Sequence, residues 1–429
     1  MSQQWFGRPL IALAGGMILL GLTLGTAVKF GRQAIAQSPP SSPPTMNQIE
    51  DSDEDLDMNA RLVAANTRFG FKLFSQILEQ NGQPTNLMVS PTSVAIALTM
   101  TYNGASGTTQ QAMAEALELE GMSLEEINQA NAALELALEN ADPEVQLAIA
   151  NSLWSREDTS FNPDFLQRNR DFYSAEVASL DFTNPSAIAT INNWVSRNTQ
   201  EKISEIIQDI RPNAVLFLIN ATYFKGNWTT PFNAERTSDR PFTLLDSSQK
   251  QHPTMTQSGR YAYLENDQFQ AVSLPYGESK RLSMYVFLPR ENSSLSAFQQ
   301  SLTAENWETW MSQFGRQEGA ISLPRFKLEY TTQLNDVLEA LGMGVAFTDQ
   351  ADFSGMSDEP LSISQVQHKT FIEVNEEGTE AAAVTSVEIQ TLSAPTAPFQ
   401  MTADRPFFYA IRDNQTETVL FMGTVVEPE

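Results

Sequence analysis

The chain has 429 residues, of which 41% are hydrophobic and 18% charged, so it carries enough apolar side chains for a large core. It contains no cysteine, which excludes disulfides, thiolate nucleophiles and cysteine-based zinc sites. Acidic residues outnumber basic ones 52 to 26, and a net charge of -26 sets nucleic acid and anionic lipid aside as partners.

The acidic surface reads first as a solubility device, with steering of a basic partner as the sharper alternative. Only two histidines exist, His252 and His368, which leaves little imidazole for hydrolytic chemistry. His252, beside Pro253, is expected in an exposed loop, and His368 as a hydrogen-bonded core residue. Nothing in the sequence asks for a metal or a cofactor.

At the amino terminus, Arg8 precedes an apolar run from Pro9 to Val28, and Ala34-Ile35-Ala36 follows. A basic flank, an apolar run and a small-x-small triplet describe a secretory signal peptide cleaved after Ala36. The run is also long enough to cross a bilayer, so an uncleaved anchor through residues 9–28 is the alternative. Either way the remainder is expected outside the cytoplasm, secreted or periplasmic. Residues 37–57 hold Pro39-Pro40, Pro43-Pro44 and an acidic run, and are expected to form an extended, solvated linker.

From Met58 the pattern turns helical. Leu62, Ala65, Phe69, Leu73 and Ile77 share one face. Ser90-Pro91 reads as a cap followed by proline at the first helical position. Thr108 with Gln111, and Ser123 with Glu126, have capping-box spacing, and Asn184-Pro185 opens a further helix through Ile188, Ile191, Trp194 and Val195. Strands are expected at Val215–Ile219, which is apolar throughout as in a strand covered on both faces, and at Ser283–Leu288. Others are expected at Phe326–Tyr330, Phe407–Ile411 and near the end at Val419–Met422 and Thr424–Val426. This mixture predicts one α+β domain over 58–429 with long antiparallel or mixed sheets.

One segment does not read as an ordinary strand and loop. It begins Phe371-Ile-Glu-Val-Asn-Glu-Glu-Gly378 and continues Thr-Glu-Ala-Ala-Ala383 to Pro398. Gly378 is a natural pivot. Read with period two, Thr379, Ala381, Ala383, Thr385, Val387 and Ile389 form an uncharged, mostly small face, while Glu380 and Glu388 lie on the other. The stretch is patterned for burial although Pro395 and Pro398 mark its far end as a loop.

Asn375 to Ala383 resembles the hinge signature of the serpin family nearly residue for residue. Asn86–Ser93, Asn220–Trp228, Leu323–Phe326, Ala351–Gly355 and Asp404–Phe408 are similar to further family stretches in the same order. The resemblance implies three β-sheets, a dominant five-stranded one that accepts a sixth strand, about eight or nine helices, and an exposed reactive loop over about 378–402. It implies a one-use inhibitor that forms a covalent complex with a target serine protease and is not an enzyme. Counting from the hinge places the scissile bond at Leu392-Ser393, which suits a protease with an apolar primary pocket. The hinge would comprise Glu376, Gly378, Thr379, Glu380, Ala381, Ala382 and Ala383. Ser90, Ser93, Asn220 and His368 resemble the family's "shutter". Arg325 and Glu376 resemble an ion pair at the top of the opening sheet, with Trp228 packed nearby. A monomer is expected, with loop-into-sheet polymers as its hazard. A non-inhibitory carrier, chaperone or storage serpin is the first alternative, opposed by Ala381–Ala383. A secreted hydrolase is the second, opposed by the lack of Gly-x-Ser-x-Gly, His-Glu-x-x-His or phosphate-loop motifs.

Overall fold

The computed structural model describes residues 53–379 and 398–429. The first half is mainly helical: α1 (Asp53–Asn81), the short β1 (Leu87–Val89), α2 (Pro91–Tyr102), α3 (Gly107–Ala116) and α4 (Leu124–Glu139), then β2 (Val145–Arg156), α5 (Pro163–Tyr173), β3 (Glu176–Leu180) and α6 (Ser186–Asn198). Strands then dominate: β4 (Leu216–Asn227), β5 (Ser238–Thr243), β6 (Gln249–Glu265), β7 (Phe269–Pro275) and β8 (Leu282–Pro289). After α7 (Leu295–Gln300) and α8 (Ala304–Gln313) come β9 (Gly315–Pro324), β10 (Phe326–Gln333) and the short α9 (Asn335–Leu338). The chain ends with β11 (Gln365–Val374), β12 (Gly378–Thr379), β13 (Phe399–Thr402), β14 (Phe407–Asp413) and β15 (Val419–Val425).

The α1 face predicted from spacing is the buried one: Leu62, Phe69 and Leu73 are fully enclosed. The helix begins at Asp53, inside the stretch expected as linker. Ser123 and Glu126 form the reciprocal capping box that opens α4. The other two caps differ from expectation. α3 starts at Gly107, so Thr108 sits within its first turn and caps nothing. Ser90 precedes α2, but its hydroxyl donates to Leu420 O at 2.7 Å instead of capping the helix.

Hydrogen bonding joins the strands into two sheets among the described residues. One is ordered β10-β11-β12-β4-β2-β3, with β11 also paired directly to β4. The other runs β1-β15-β14-β8-β7-β6-β9-β13, with β5 on β6. The second and third of the expected three sheets are continuous through the long β6: Thr254–Tyr263 pairs with β9, and Ala262–Glu265 with β7. His252 lies in β6, 8% exposed, its Nε2 2.7 Å from Arg325 O. The loop expectation fails there because Pro253, which signalled a turn, is accommodated in the ladder opposite Asp239 of β5.

The main core lies under the six-stranded sheet, between it, the helices α1 and α2 and the larger sheet. A second cluster covers the sheet's other face, where Ile191 and Val195 of α6 meet Phe217, Ile219, Tyr223 and Phe371. β4 therefore has apolar neighbours on both faces, as its unbroken hydrophobic run predicted.

Candidate functional site

β4 and β11 run parallel and pair from Phe217↔Gln365 to Tyr223↔Phe371. Above that point they part, and β12 fills the space between them. Thr379 is level with both Gly226 and Val374, and Gly378 with Asn227. β12 is antiparallel to both neighbours. The six-stranded sheet is thus five strands with a two-residue sixth wedged into the top of one seam.

The wedge is tightly held. Gly378 has φ +154°, and a Cβ there would lie 2.1 Å from Gly226 O and 2.7 Å from Asn227 Cα, both backbone atoms that cannot turn aside. Thr379 is fully buried, its Oγ1 2.8 Å from the Tyr276 hydroxyl. Tyr276 stacks on Trp228, ring centroids 4.4 Å apart. Trp228 in turn holds the β11–β12 turn twice: its backbone N–H donates to Glu377 O at 2.8 Å and its indole N–H to Asn375 O at 2.9 Å.

Arg325 closes this corner. Its Nε donates to Glu376 Oε1 at 2.8 Å, and Thr237 donates to the same oxygen. The Glu376 side chain is 8% exposed, against 43% for Arg325. Burial pushes the Glu376 carboxyl up, but Arg325 and Thr237 outweigh it and hold the group below the usual carboxylate range. Trp228, Arg325 and Glu376, expected together, are together.

Lower in the seam a polar cluster sits in the core. His368 is level with Asn220 across the β4–β11 pairing. Ser90 N–H donates to His368 Nε2 at 3.1 Å, which makes that nitrogen the acceptor. Nδ1 then carries the proton and donates to Asn220 Oδ1. The Asn220 amide donates to Ser93 O at 3.2 Å and to Asn151 Oδ1 at 2.6 Å, and Ser93 Oγ lies 2.8 Å from Thr222 Oγ1. Burial depresses the His368 pKa to about 3, so the imidazole is neutral at physiological pH. All four residues expected here, Ser90, Ser93, Asn220 and His368, are brought together.

Asn151, Thr222, Thr237 and Tyr276 belong to these clusters and were not singled out from sequence. Asn151 joins because β2 pairs with β4 in a register that puts it opposite Asn220. Such a partnership has no local signature. Glu380, Ala381, Ala382, Ala383 and the Leu392-Ser393 bond lie outside the described residues, as do residues 1–52. No helix among the described residues is long and apolar enough to cross a membrane.

A mixed sheet with a two-residue strand wedged into the top of its parallel seam and a buried polar cluster lower in that seam define a class of protein. The family model described as serpin, serine protease inhibitor, matches residues 64–428, and the chain belongs to the serpin family. It is 37% identical over 381 residues to the leukocyte elastase inhibitor of Bos taurus, covering 86% of this chain and 100% of that one. It is 34% identical to neuroserpin of Homo sapiens, covering 82% and 88% respectively. Among solved structures, the thermophilic serpin tengpin in its native state superposes with a TM-score of 0.80 at 34% identity, covering 88% of this chain and 95% of tengpin. Thyroxine-binding globulin in complex with thyroxine superposes at 0.78 and 28%, covering 85% and 99%. The family description and the bovine relative name inhibitors of proteases, and none of these relatives is named as an enzyme.

Proposed function

We propose that the chain is a suicide-substrate inhibitor of serine endopeptidases with an apolar primary pocket, chymotrypsin-like in preference, cleaved at Leu392-Ser393. The observation that carries this reading is the wedge of Gly378 and Thr379 between two parallel strands. The protease serine oxygen adds to the Leu392 carbonyl carbon, the Leu392–Ser393 C–N bond breaks, and the proton given up by the serine hydroxyl goes to the Ser393 nitrogen. An ester then joins Leu392 to the enzyme. The freed segment extends β12 down the seam. Each residue added replaces a parallel contact with two antiparallel ones, the better-paired arrangement.

The register of the wedge carries this further. Continued at the same spacing, Thr385 arrives level with both Asn220 and His368, and Ile389 with Leu216 at the start of β4. Thr379 faces the main core, so Ala381, Ala383, Thr385, Val387 and Ile389 would follow it there. That is the small, uncharged face. Thr385 is the polar member that meets the polar cluster, and its hydroxyl would replace the His368–Asn220 bond that insertion breaks. Leu392, fourteen positions past Gly378, would be carried roughly 46 Å. Glu376 with Arg325, and Trp228 above the turn, would hold the hinge at its starting depth.

The reading includes secretion, since a serine protease target and the apolar amino-terminal run both point outside the cytoplasm. Thyroxine-binding globulin, a relative solved in complex with thyroxine, takes a small ligand, but the small hinge residues here favour inhibition. The test is incubation with chymotrypsin followed by a denaturing gel. A covalent band near the summed mass is expected, and Thr379→Arg should turn the protein into a cleaved substrate, because arginine has no room beside Tyr276. Clean cleavage of the unmodified protein with no covalent band would refute the inhibitory mechanism.

A further inference from the structure

A second concavity of about 360 Å³ opens beside Trp228. Its walls come from the connection after β4, the middle of β6, the end of β7, the β7–β8 turn, β8 and the start of β9. Three cationic side chains line it, Arg260, Lys280 and Arg316, and no carboxylate does, although acids outnumber bases two to one in this chain. None of the three has a side-chain partner among the described residues. Glu318, the residue opposite Arg260 in the β6–β9 ladder, makes no ion pair with it. Adjacent Arg281 shows the contrast: it grips Asp413 with both nitrogens, at 2.8 and 2.6 Å.

Between these cations lie Tyr261, Tyr285 and Trp228. Unpaired guanidinium and ammonium groups around a cleft with aromatic walls suit a ligand with an anionic head and a flat apolar body. The volume is in the range of small organic ligands and far below that of a polymer groove. Trp228 is a wall of this pocket; its indole N–H also donates to Asn375 O and its ring stacks on Tyr276 behind Thr379, while its backbone N–H donates to Glu377 O. We propose that the pocket binds a small aromatic carboxylate or sulfonate through Arg260, Lys280 and Arg316, and that occupancy is transmitted through Trp228 to the hinge at Gly378-Thr379. The consequence for inhibition rests on the reading above. The binding and the transmission do not.

The experiment uses the whole protein and anilinonaphthalene sulfonate as probe, with no protease present. Saturable one-to-one binding is expected, weakened by salt, and weakened at least tenfold in an Arg260→Gln/Arg316→Gln double variant. Equal affinity in the double variant overturns the site. Both arginines are exposed, so the variant should melt with the parent; should it not, Lys280→Glu in the turn supplies the same comparison. For transmission, hydrogen exchange is followed in peptides spanning residues 371–379. Bound probe is expected to slow exchange at least threefold in the parent and to leave the double variant unchanged. Equal exchange with and without bound probe overturns the coupling while leaving the inhibitory mechanism to stand or fall on its own gel.

Discussion

Gly378 is the position where a single atom matters most. Its φ of +154° and the 2.1 Å approach to Gly226 O leave no place for a methyl group, and the obstacle is the β4 backbone. Gly226 contributes from the other strand, since a Cβ there would press on Tyr276 and Phe224. Two glycines thus let three strands meet where two would otherwise close. Gly378→Ala is expected to push β12 out of the sheet top and to cost about 2 kcal/mol of native stability, the usual scale for backbone strain. In a domain of this size that lowers the melting temperature by about 2 to 3 °C. A scan showing no change would mean that the wedge contributes nothing to the native state. The sequence announced Gly378 as a pivot because conformational freedom is written in the residue type. It did not announce Tyr276, whose hydroxyl anchors Thr379 from a position 103 residues away.

At the scale of elements, the seam between β4 and β11 is held by one cross-strand side-chain bond, His368 to Asn220, within a ladder of otherwise backbone pairs. That bond depends on protonation. The neutral imidazole accepts from Ser90 at Nε2, and a second proton would set two donors face to face. The folded pKa of about 3 lies below the ordinary 6.5, so the native state resists taking up a proton that the unfolded chain accepts. The stabilisation is whole above about pH 6.5 and is lost as pH falls toward 3, a total of about 5 kcal/mol by linkage. Glu135 of α4 works in the opposite direction, since burial and Glu139 raise its pKa to about 7 and its protonation favours the fold. The difference between the parent and His368→Gln isolates the imidazole. Between pH 7 and 4 the parent's melting temperature should fall more steeply than the variant's, and equal slopes would show that His368 does not titrate on unfolding. The four expected members of this cluster were legible through their resemblance to family stretches. Asn151 was not, because it enters through strand register, which no short window of sequence contains. The fusion of two sheets through β6 was hidden for the same reason: pairing with β7 and pairing with β9 are both non-local.

For the whole molecule, the described residues place a parallel seam in the middle of a mixed sheet, with a small-residue segment tethered at its mouth. A fold that stops there is a trapped state if the segment can enter, because entry adds ladder bonds on both sides and buries a face already free of charge. Twelve residues, from Gly378 to Ile389, would be level with the seam by the register of the wedge. Ladder bonds are individually worth about 1 kcal/mol net, so their gain together is on the order of 10 kcal/mol. Heating the protein before and after cleavage within residues 384–392 measures this directly. The cleaved form is expected to melt at least about 10 °C higher, given roughly 0.8 kcal/mol per degree for a domain of this length. Thr385→Arg should abolish the rise without altering the uncleaved melting temperature, because the charge reaches the His368 and Asn220 cluster only if the strand advances that far. A cleaved parent that melts no higher would mean the seam does not open. A Thr385→Arg protein that still gains the full rise would mean that the strand enters in a different register from the one Thr379 begins.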